Sequence, residues 1–318
     1  TALESLYVEG NQLTSLDASG CTALTDLDLT SDYGSNETKL SLLDVSGCTA
    51  LEGLSAGTIQ LTSLDVSGCT ALERLSVRDN QLTSLDVSGC TALTYLDVWS
   101  NQLTELDVSK NTALESLVVS RNQLTSLDVS DHTALTYLGV KENQLTSLDV
   151  SGCTALTSLD VERIAFLIGD DDRNKLSSLD VSGCTALESL NVRNNQLTSL
   201  DVSTNTALKS LNVGGNQLTE LNVSKNTALT SLNVGNRDPL NGWAVGDNQL
   251  TELDVSKNTA LESLDVSYNN LTSLDVSANT ALTNLDAGDN QLTTLDVSAN
   301  TALESLDVSY NNLTSLDV

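Results

Sequence analysis

Few side chains in this 318-residue sequence could carry out chemistry, and most of them recur at fixed places. His132 is the single histidine, in a DHTA segment whose sister segments read GCTA or KNTA. Acid–base or nucleophilic catalysis needs a nucleophile, a base within hydrogen-bond reach and a group that orients the base. No such set can be built around His132, and the sequence contains no phosphate-binding loop or metal-spaced histidine set. We therefore expect that the protein is not an enzyme.

The six cysteines occupy one position of a recurring S-x-[Asn/Cys]-T-A segment. Across 13 occurrences that position holds six Cys, six Asn and His132. Alternation with Asn in a turn indicates a small, inward-pointing donor that satisfies backbone groups, and parallel in-register Cβ vectors suit a disulfide poorly. We predict six free, buried thiols, which leaves the redox compartment open. The cysteines are Cys21, Cys48, Cys69, Cys90, Cys153 and Cys184.

A row of aspartates supplies much of the formal charge of −29. One position, after the second leucine of a half-repeat, is Asp in 13 of 14 repeats, with Asn222 as the exception. We interpret the row as solvated side chains that accept hydrogen bonds from Ser and Thr; a row of calcium sites is the alternative. No other cofactor is expected. Unless hydrogen bonds outweigh the mutual repulsion, the Asp pKa values should be raised. The acidity argues against nucleic acid as a partner.

These residues are positioned by a repeat of 21 residues. LERLSVRDNQLTSLDVSGCTA begins at Leu72, and related segments begin at Leu93, Leu114 and Leu135. A fixed period of this length indicates stacked units that bury a core between neighbours. The Leu-x-Val alternation predicts a short strand, and each half-repeat is too short for a helix. We predict a single domain over residues 1–318 with about 14 coils, truncated within the array at both ends.

The pattern resembles the leucine-rich repeat family, in the short 21-residue bacterial type of internalin J and related surface-protein repeats. Its skeleton L-x-x-L-x-[LVC]-x-x-N-x-L is matched by Leu72, Leu75, Val77, Asn80 and Leu82. The resemblance implies a right-handed solenoid with a parallel concave β-sheet, short extended convex segments and almost no α-helix. Two features depart from it: Val stands where the internalin J type carries a cysteine ladder, and there is no wall-anchoring sorting signal.

Aromatic and basic residues gather at the variable positions of the predicted concave face. In-register stacking places Arg74, Tyr95 and Tyr137 in one column and Arg78, Trp99 and Lys141 in the next. Such groups are enriched at interaction hot spots, although drift at variable surface positions would also produce them. The candidate ligand-binding residues are Arg74, Arg78, Tyr95, Trp99, Arg121, Tyr137, Lys141 and Arg163.

Three insertions interrupt the repeat, near residues 31–39, 162–175 and 236–247. All follow the predicted strand, and loops on a rigid scaffold often carry binding residues. The second contains the apolar run Ile164-Ala165-Phe166-Leu167-Ile168, which we expect to fold back over the solenoid edge.

The sequence is consistent with two functions. The first is a non-enzymatic binding or adhesion module of a bacterial surface or secreted protein, which recognises a glycan or a protein with its concave face. The alternative is a passive stalk within a larger extracellular protein. The sequence has neither a transmembrane run nor a signal peptide, so an extracellular location is implied by the resemblance alone. The ligand and the oligomeric state are left open.

Overall fold

The computed structural model describes residues 2–30, 39–40, 42–163, 174–236 and 248–318. The chain divides into two compact units, Thr1–Leu148 and Asp149–Val318. The predicted insertions lie largely outside the described residues, as does the apolar run 164–168, so the fold-back remains a prediction. The prediction of a single domain also remains a prediction.

The first unit contains a sheet of seven parallel strands, one for each coil. Equivalent residues pair across the sheet, so that Leu75 lies beside Leu96 and Leu96 beside Leu117. A second, two-stranded parallel sheet joins β2 (Ser15–Asp17) and β4 (Leu42–Asp44). The seven strands are β1 (Ser5–Tyr7), β3 (Asp26–Asp28), β5 (Gly53–Ser55), β6 (Arg74–Ser76), β7 (Tyr95–Asp97), β8 (Ser116–Val118) and β9 (Tyr137–Gly139).

The second unit repeats this architecture with seven further parallel strands. A separate parallel pair is formed by β16 (Thr294–Asp296) and β18 (Ser315–Asp317). The strands of the larger sheet are β10 (Ser158–Asp160), β11 (Ser189–Asn191), β12 (Ser210–Asn212), β13 (Ser231–Asn233), β14 (Ser263–Asp265), β15 (Asn284–Asp286) and β17 (Ser305–Asp307). The predicted parallel β-solenoid is confirmed, and no helix occurs in the described parts of the chain.

Stacked leucines and valines form the core, as the repeat skeleton predicts. In the central coils the strand leucine and the following valine are fully buried, for example Leu96 and Val98. The second leucine of the other half-repeat, such as Leu106, keeps 8% of its surface exposed. In most coils this half forms no regular strand. Within the described ranges, no helix is long and apolar enough to cross a membrane.

The position shared by Cys and Asn points into this core, and the prediction of free thiols is confirmed. All six cysteines are free, and five are buried. Sγ of Cys184 lies 3.3 Å from the carbonyl oxygen of Val150. Asn226 donates from Nδ2 to the carbonyls of Val202 and Asn205, at 2.9 Å each, while its buried Oδ1 has no hydrogen-bond partner. Burial raises the pKa of the Cys69 thiol to about 12.

Most aspartates of the row accept hydrogen bonds from the serine two residues later, so the condition for raised pKa values, repulsion without compensating hydrogen bonds, is not met. Oδ1 of Asp128 accepts hydrogen bonds from the backbone N–H of Ser130 at 3.0 Å and from its hydroxyl at 2.7 Å. These bonds lower the pKa of Asp128. Hydrogen bonds from Ser88 likewise lower the pKa of Asp86, although the charges of Asp107 and Asp65 raise it. Charge-assisted hydrogen bonds therefore outweigh repulsion between neighbouring carboxylates.

One position after each strand adopts a left-handed backbone in most described coils. Residues there include Asp79, Ser100, Arg121 and Tyr268, with φ between 51° and 57°. A positive φ is unfavourable for residues other than glycine, and Asn and Asp tolerate it best. The turn geometry of the coil thus overrides local backbone preference at a variable surface position.

Candidate ligand-binding face

Seven of the eight candidate residues lie in the first unit: Arg74, Tyr95 and Tyr137 are in strands, and the other four follow the ends of strands. Arg74 pairs in register with Tyr95, and Tyr95 and Tyr137 flank Ser116 on the intervening strand. We call this set the aromatic–basic patch; it consists of Arg74, Arg78, Tyr95, Trp99, Arg121, Tyr137 and Lys141. The register confirms the predicted column of Arg74, Tyr95 and Tyr137.

A buried carboxylate lies within the patch. Asp97 is only 7% exposed, and its Oδ1 accepts a hydrogen bond from the backbone N–H of Trp99 at 3.0 Å. The hydroxyl of Tyr95 donates to Oδ2 of Asp97 at 3.4 Å. Burial raises the pKa of Asp97, and the positive charge of Arg78 acts in the opposite direction. Tyr95 is therefore partly a structural residue, tied to a desolvated acid.

Trp99 and Arg121 form a second cluster in the patch. The guanidinium carbon of Arg121 lies 5.1 Å from the centroid of the Trp99 ring, which is cation–π geometry. Nε of Arg121 also pairs with a carboxylate oxygen of Glu142 at 3.2 Å. A ligand carboxylate would have to compete with Glu142 for Arg121, whereas Arg74 and Arg78 are exposed.

Glycines allow two patch side chains to lie close to the sheet. A β-carbon at Gly139 would lie 3.2 Å from both Cε1 and Oη of Tyr137, so the tyrosine ring covers its own strand end. A β-carbon at Gly57 would lie 3.2 Å from Cγ of Arg78. Tyr95 and Tyr137 are two strands apart, about 10 Å, with the small Ser116 between them.

Arg163, the eighth candidate, lies in the second unit. Its backbone N–H donates to the carbonyl of Arg193 at 3.1 Å, and its carbonyl accepts a hydrogen bond from Nδ2 of Asn194 at 2.8 Å. Arg163 is therefore not part of the patch of the first unit.

Sequence reasoning missed the two acids of the patch, Asp97 and Glu142. Asp97 occupies a variable position between Tyr95 and Trp99. An acidic residue between two aromatic residues is the feature of the sequence that could have indicated it. Glu142 follows Lys141, and nothing in the sequence distinguishes it from the many other acidic residues of the chain. Together they make the patch amphoteric rather than simply basic.

Most of the patch suits recognition rather than reaction. Its tyrosines and tryptophan offer flat surfaces with few rotamers to freeze, and its arginines offer directed donors. His132 is 1% exposed, and Nε2 lies 3.2 Å from the carbonyl oxygen of Val108, so it fills the Asn position of its coil. Across the described ranges, no three His, Cys, Asp or Glu side chains are grouped so as to hold a metal ion.

Comparison with known proteins identifies the repeat. A family model described as "Leucine Rich repeats (2 copies)" matches residues 70–111, and a "Leucine Rich repeat" model matches residues 257–278 and 299–318. No curated protein matches the chain by sequence.

Solved structures extend the match to nearly the whole chain. The functional domain of InlJ from Listeria monocytogenes, which includes a cysteine ladder, is 35% identical with a TM-score of 0.76; the match covers 95% of this chain and 67% of that one. A leucine-rich repeat protein of Leptospira interrogans is 23% identical with a TM-score of 0.81, covering 99% and 80%.

A more distant similarity is to the ectodomain of the Arabidopsis thaliana receptor kinase GASSHO1/SCHENGEN3, solved in complex with CASPARIAN STRIP INTEGRITY FACTOR 2. It is 18% identical with a TM-score of 0.61, covering 99% of this chain and 50% of that one. This similarity concerns the fold alone. The identity to InlJ, the two repeat models and the leucine ladder agree, and the chain belongs to the leucine-rich repeat family, in its 21-residue bacterial type.

Proposed function

We propose that this chain is a non-enzymatic recognition module that binds a protein through the aromatic–basic patch. The observation that carries the proposal is that Arg74, Tyr95 and Tyr137 are held in register on neighbouring strands, with further cations just beyond the strand ends. Arg74, Arg78 and Tyr137 are exposed in a chain whose formal charge is −29. A local positive surface on an acidic body steers acidic partners toward one place and repels them elsewhere.

The amphoteric character of the patch favours a protein ligand over a uniformly charged polymer. Asp97 and Glu142 would repel one part of a polyanion, whereas a protein surface can present acceptors to Arg74 and Arg78 and donors elsewhere. Leucine-rich repeat domains of this type are generally protein-binding. A glycan ligand remains the second option for the same face, since tyrosine and tryptophan rings also stack on sugar rings. The family also supports a surface-exposed or secreted location.

The test is a binding screen with matched variants. The wild-type chain would be labelled and applied to an array of extracellular proteins and to a glycan array. The double variant Arg78→Ser/Tyr137→Ser should lose most binding to every protein that the wild type captures. Tyr310→Ser removes a tyrosine that is 82% exposed on the second unit, so it should bind as the wild type does. Equal binding by the patch variant would refute the proposed site, and capture of glycans alone would refute the protein ligand.

A passive stalk is the second candidate function, and one observation favours it. Residues 259–276 and 301–318 have the identical sequence TALESLDVSYNNLTSLDV. Two identical coils offer no distinct surface, which is what a spacer requires. If the wild type captures nothing on either array, the stalk is the better reading of the whole chain.

A further inference from the structure

The aromatic–basic patch contains a buried carboxylate whose charge is not paired. Asp97 is 7% exposed, and both of its hydrogen bonds come from uncharged donors. These are the backbone N–H of Trp99 at 3.0 Å and the hydroxyl of Tyr95 at 3.4 Å. Asp97 forms no ion pair with any residue that the structure describes. A buried charge is costly unless a second charge compensates it, so this carboxylate calls for an explanation.

The turn that follows the strand does not need this charge. In the second unit, asparagine stands at the same strand position, the last residue of β11 and of β12. Oδ1 of Asn191 accepts the backbone N–H of Arg193 at 3.3 Å, and Oδ1 of Asn212 accepts that of Gly214 at 3.2 Å. Both asparagines thus make the bond that Asp97 makes to Trp99. A neutral amide is sufficient to hold this turn, so the fold does not account for the charge of Asp97.

Two arginines in the neighbouring coil also form no ion pair with a described residue, Arg74 and Arg78. Burial raises the pKa of Asp97, the charge of Arg78 lowers it, and the charge of Asp79 raises it. On the other side of Asp97, its partner in register is the uncharged Val118. The patch therefore presents unpaired charges of both signs on two adjacent coils, whose strands lie about 4.8 Å apart.

The next coils of the patch are different, because their charges already have partners. Arg121 pairs with Glu142 at 3.2 Å, and its guanidinium carbon lies 5.1 Å from the centroid of the Trp99 ring. A partner that binds Arg121 must displace these contacts, and it leaves Glu142 without its cation. The charges that a partner can use without such a loss are those of Arg74, Arg78 and Asp97.

We propose that Asp97 determines the specificity of the patch: it selects a protein segment with a basic side chain next to an acidic one and rejects a uniformly acidic segment. This inference rests on the proposed function, because it names the chemistry of the partner at the same patch. The acidic group of the partner meets Arg74 or Arg78, and its basic group lies one strand further along, beside Asp97. Specific recognition often depends on a repulsive element of this kind.

Weak-affinity chromatography of the full chain on two immobilised peptides tests this specificity. One peptide is hexaglutamate, and the other has the same length and alternates glutamate with lysine. We expect the wild type to be retained longer by the alternating peptide. Asp97→Asn should raise the affinity for hexaglutamate at least about tenfold, because juxtaposed like charges discriminate strongly between partners. The same variant should bind the alternating peptide more weakly than the wild type does.

Two further variants separate the charge of Asp97 from the net charge of the chain and from its stability. Asp286→Asn makes the same change at the same strand position in the second unit, so its retention should match that of the wild type. Asp97→Ser removes the charge in a second way, and serine occupies this position in the adjacent strand, where Ser76 pairs with Asp97. Both Asp97 variants should change retention in the same direction, and their melting temperatures show whether they are folded. Because Asp97 is buried, the effect should persist at about 0.15 M salt.

An unchanged preference in both Asp97 variants would overturn the proposal, as would the absence of retention of either peptide by any of these chains. The proposed function has its own test in the capture of proteins on the array. If Arg78→Ser/Tyr137→Ser abolishes capture while both Asp97 variants keep the wild-type preference, the patch binds proteins but Asp97 does not select them. If the Asp97 variants switch preference while the double variant captures every protein as the wild type does, Asp97 selects charge and the captured proteins bind elsewhere.

Discussion

Replacing Asn226 with cysteine should leave the stability of this protein nearly unchanged, although Asn226 is fully buried and makes two hydrogen bonds. Both acceptor carbonyls have another donor. The carbonyl of Val202 accepts the N–H of Asn205 at 3.0 Å, and that of Asn205 accepts the N–H of Leu208 at 3.1 Å. Removing the amide of Asn226 therefore leaves neither carbonyl without a partner.

The expected change in the free energy of unfolding is the difference between the hydrogen bond that is lost and the unpartnered oxygen that is removed. A thiol at this position keeps one contact, since Sγ of Cys184 lies 3.3 Å from the Val150 carbonyl oxygen, so the substitution loses one net hydrogen bond, about 0.5–1.5 kcal/mol. It also removes the unpartnered Oδ1 of Asn226, a burden of about 1–3 kcal/mol. We expect a change in the free energy of unfolding between a destabilisation of about 0.5 kcal/mol and a stabilisation of about 2.5 kcal/mol, centred near a stabilisation of about 1 kcal/mol.

Urea unfolding under reducing conditions, followed by circular dichroism, would measure this change. The reverse substitution Cys184→Asn is the matched partner and should be neutral or slightly destabilising. Asn226→Asp is the contrasting variant. It places a carboxylate against two carbonyl oxygens and should destabilise by about 3 kcal/mol or more at neutral pH. A loss above about 2 kcal/mol for Asn226→Cys would show that Oδ1 is well satisfied and would refute the argument.

Three further predictions test the core, the aspartate row and the thiols. Leu106→Ala should lower the free energy of unfolding by about 2–5 kcal/mol, and a loss below about 1 kcal/mol in urea would contradict its place in the core. Since hydrogen bonds hold the folded pKa of Asp128 below its ordinary value, the stability it contributes is complete above the unfolded pKa, about 3.9, and is lost as the pH falls through the lower folded pKa. The acid slope of the urea midpoint should be shallower in Ser130→Ala, and stabilisation of the wild type between pH 5 and 3 would reverse the sign. Because burial raises the thiol pKa values of Cys69 and Cys153 to about 12, the native chain should react slowly with a thiol reagent at pH 8, and the chain unfolded without reductant should show six thiols; fewer would reveal a disulfide.

The fold was predictable because every coil repeats the same pattern of leucines and valines. Leu96 and Val98 stand in a pattern that recurs along the whole chain, so their burial follows from the period alone. The register of Arg74 with Tyr95 followed as well, because equal repeat lengths leave one way to stack the strands. The insertions break this rule, and the repeat gives no information on where they lie.

The electrostatics of the chain were harder to predict from sequence. The sign of the shift at Asp128 depends on whether the hydroxyl and N–H of Ser130 both reach one carboxylate oxygen, which the one-letter pattern D-V-S does not state. The partial burial of Tyr95 likewise depends on Asp97, a desolvated acid that resembles any other acid of the chain in sequence. Side-chain geometry within a coil decides these properties, whereas periodicity decides only the position.

The left-handed turn that follows the strand in most described coils separates stability from surface chemistry in this protein. Asp79, Ser100 and Tyr268 accept an unfavourable backbone there, at about 1 kcal/mol each relative to glycine. Each coil contacts only its neighbours, so these local costs add without propagating along the array. Glycine substitutions at several of these turns should together raise the melting temperature. The variable residues of the strands could then be changed independently. The same turns would suit a combinatorial library, in which stabilising glycines compensate for costly new side chains on the binding face.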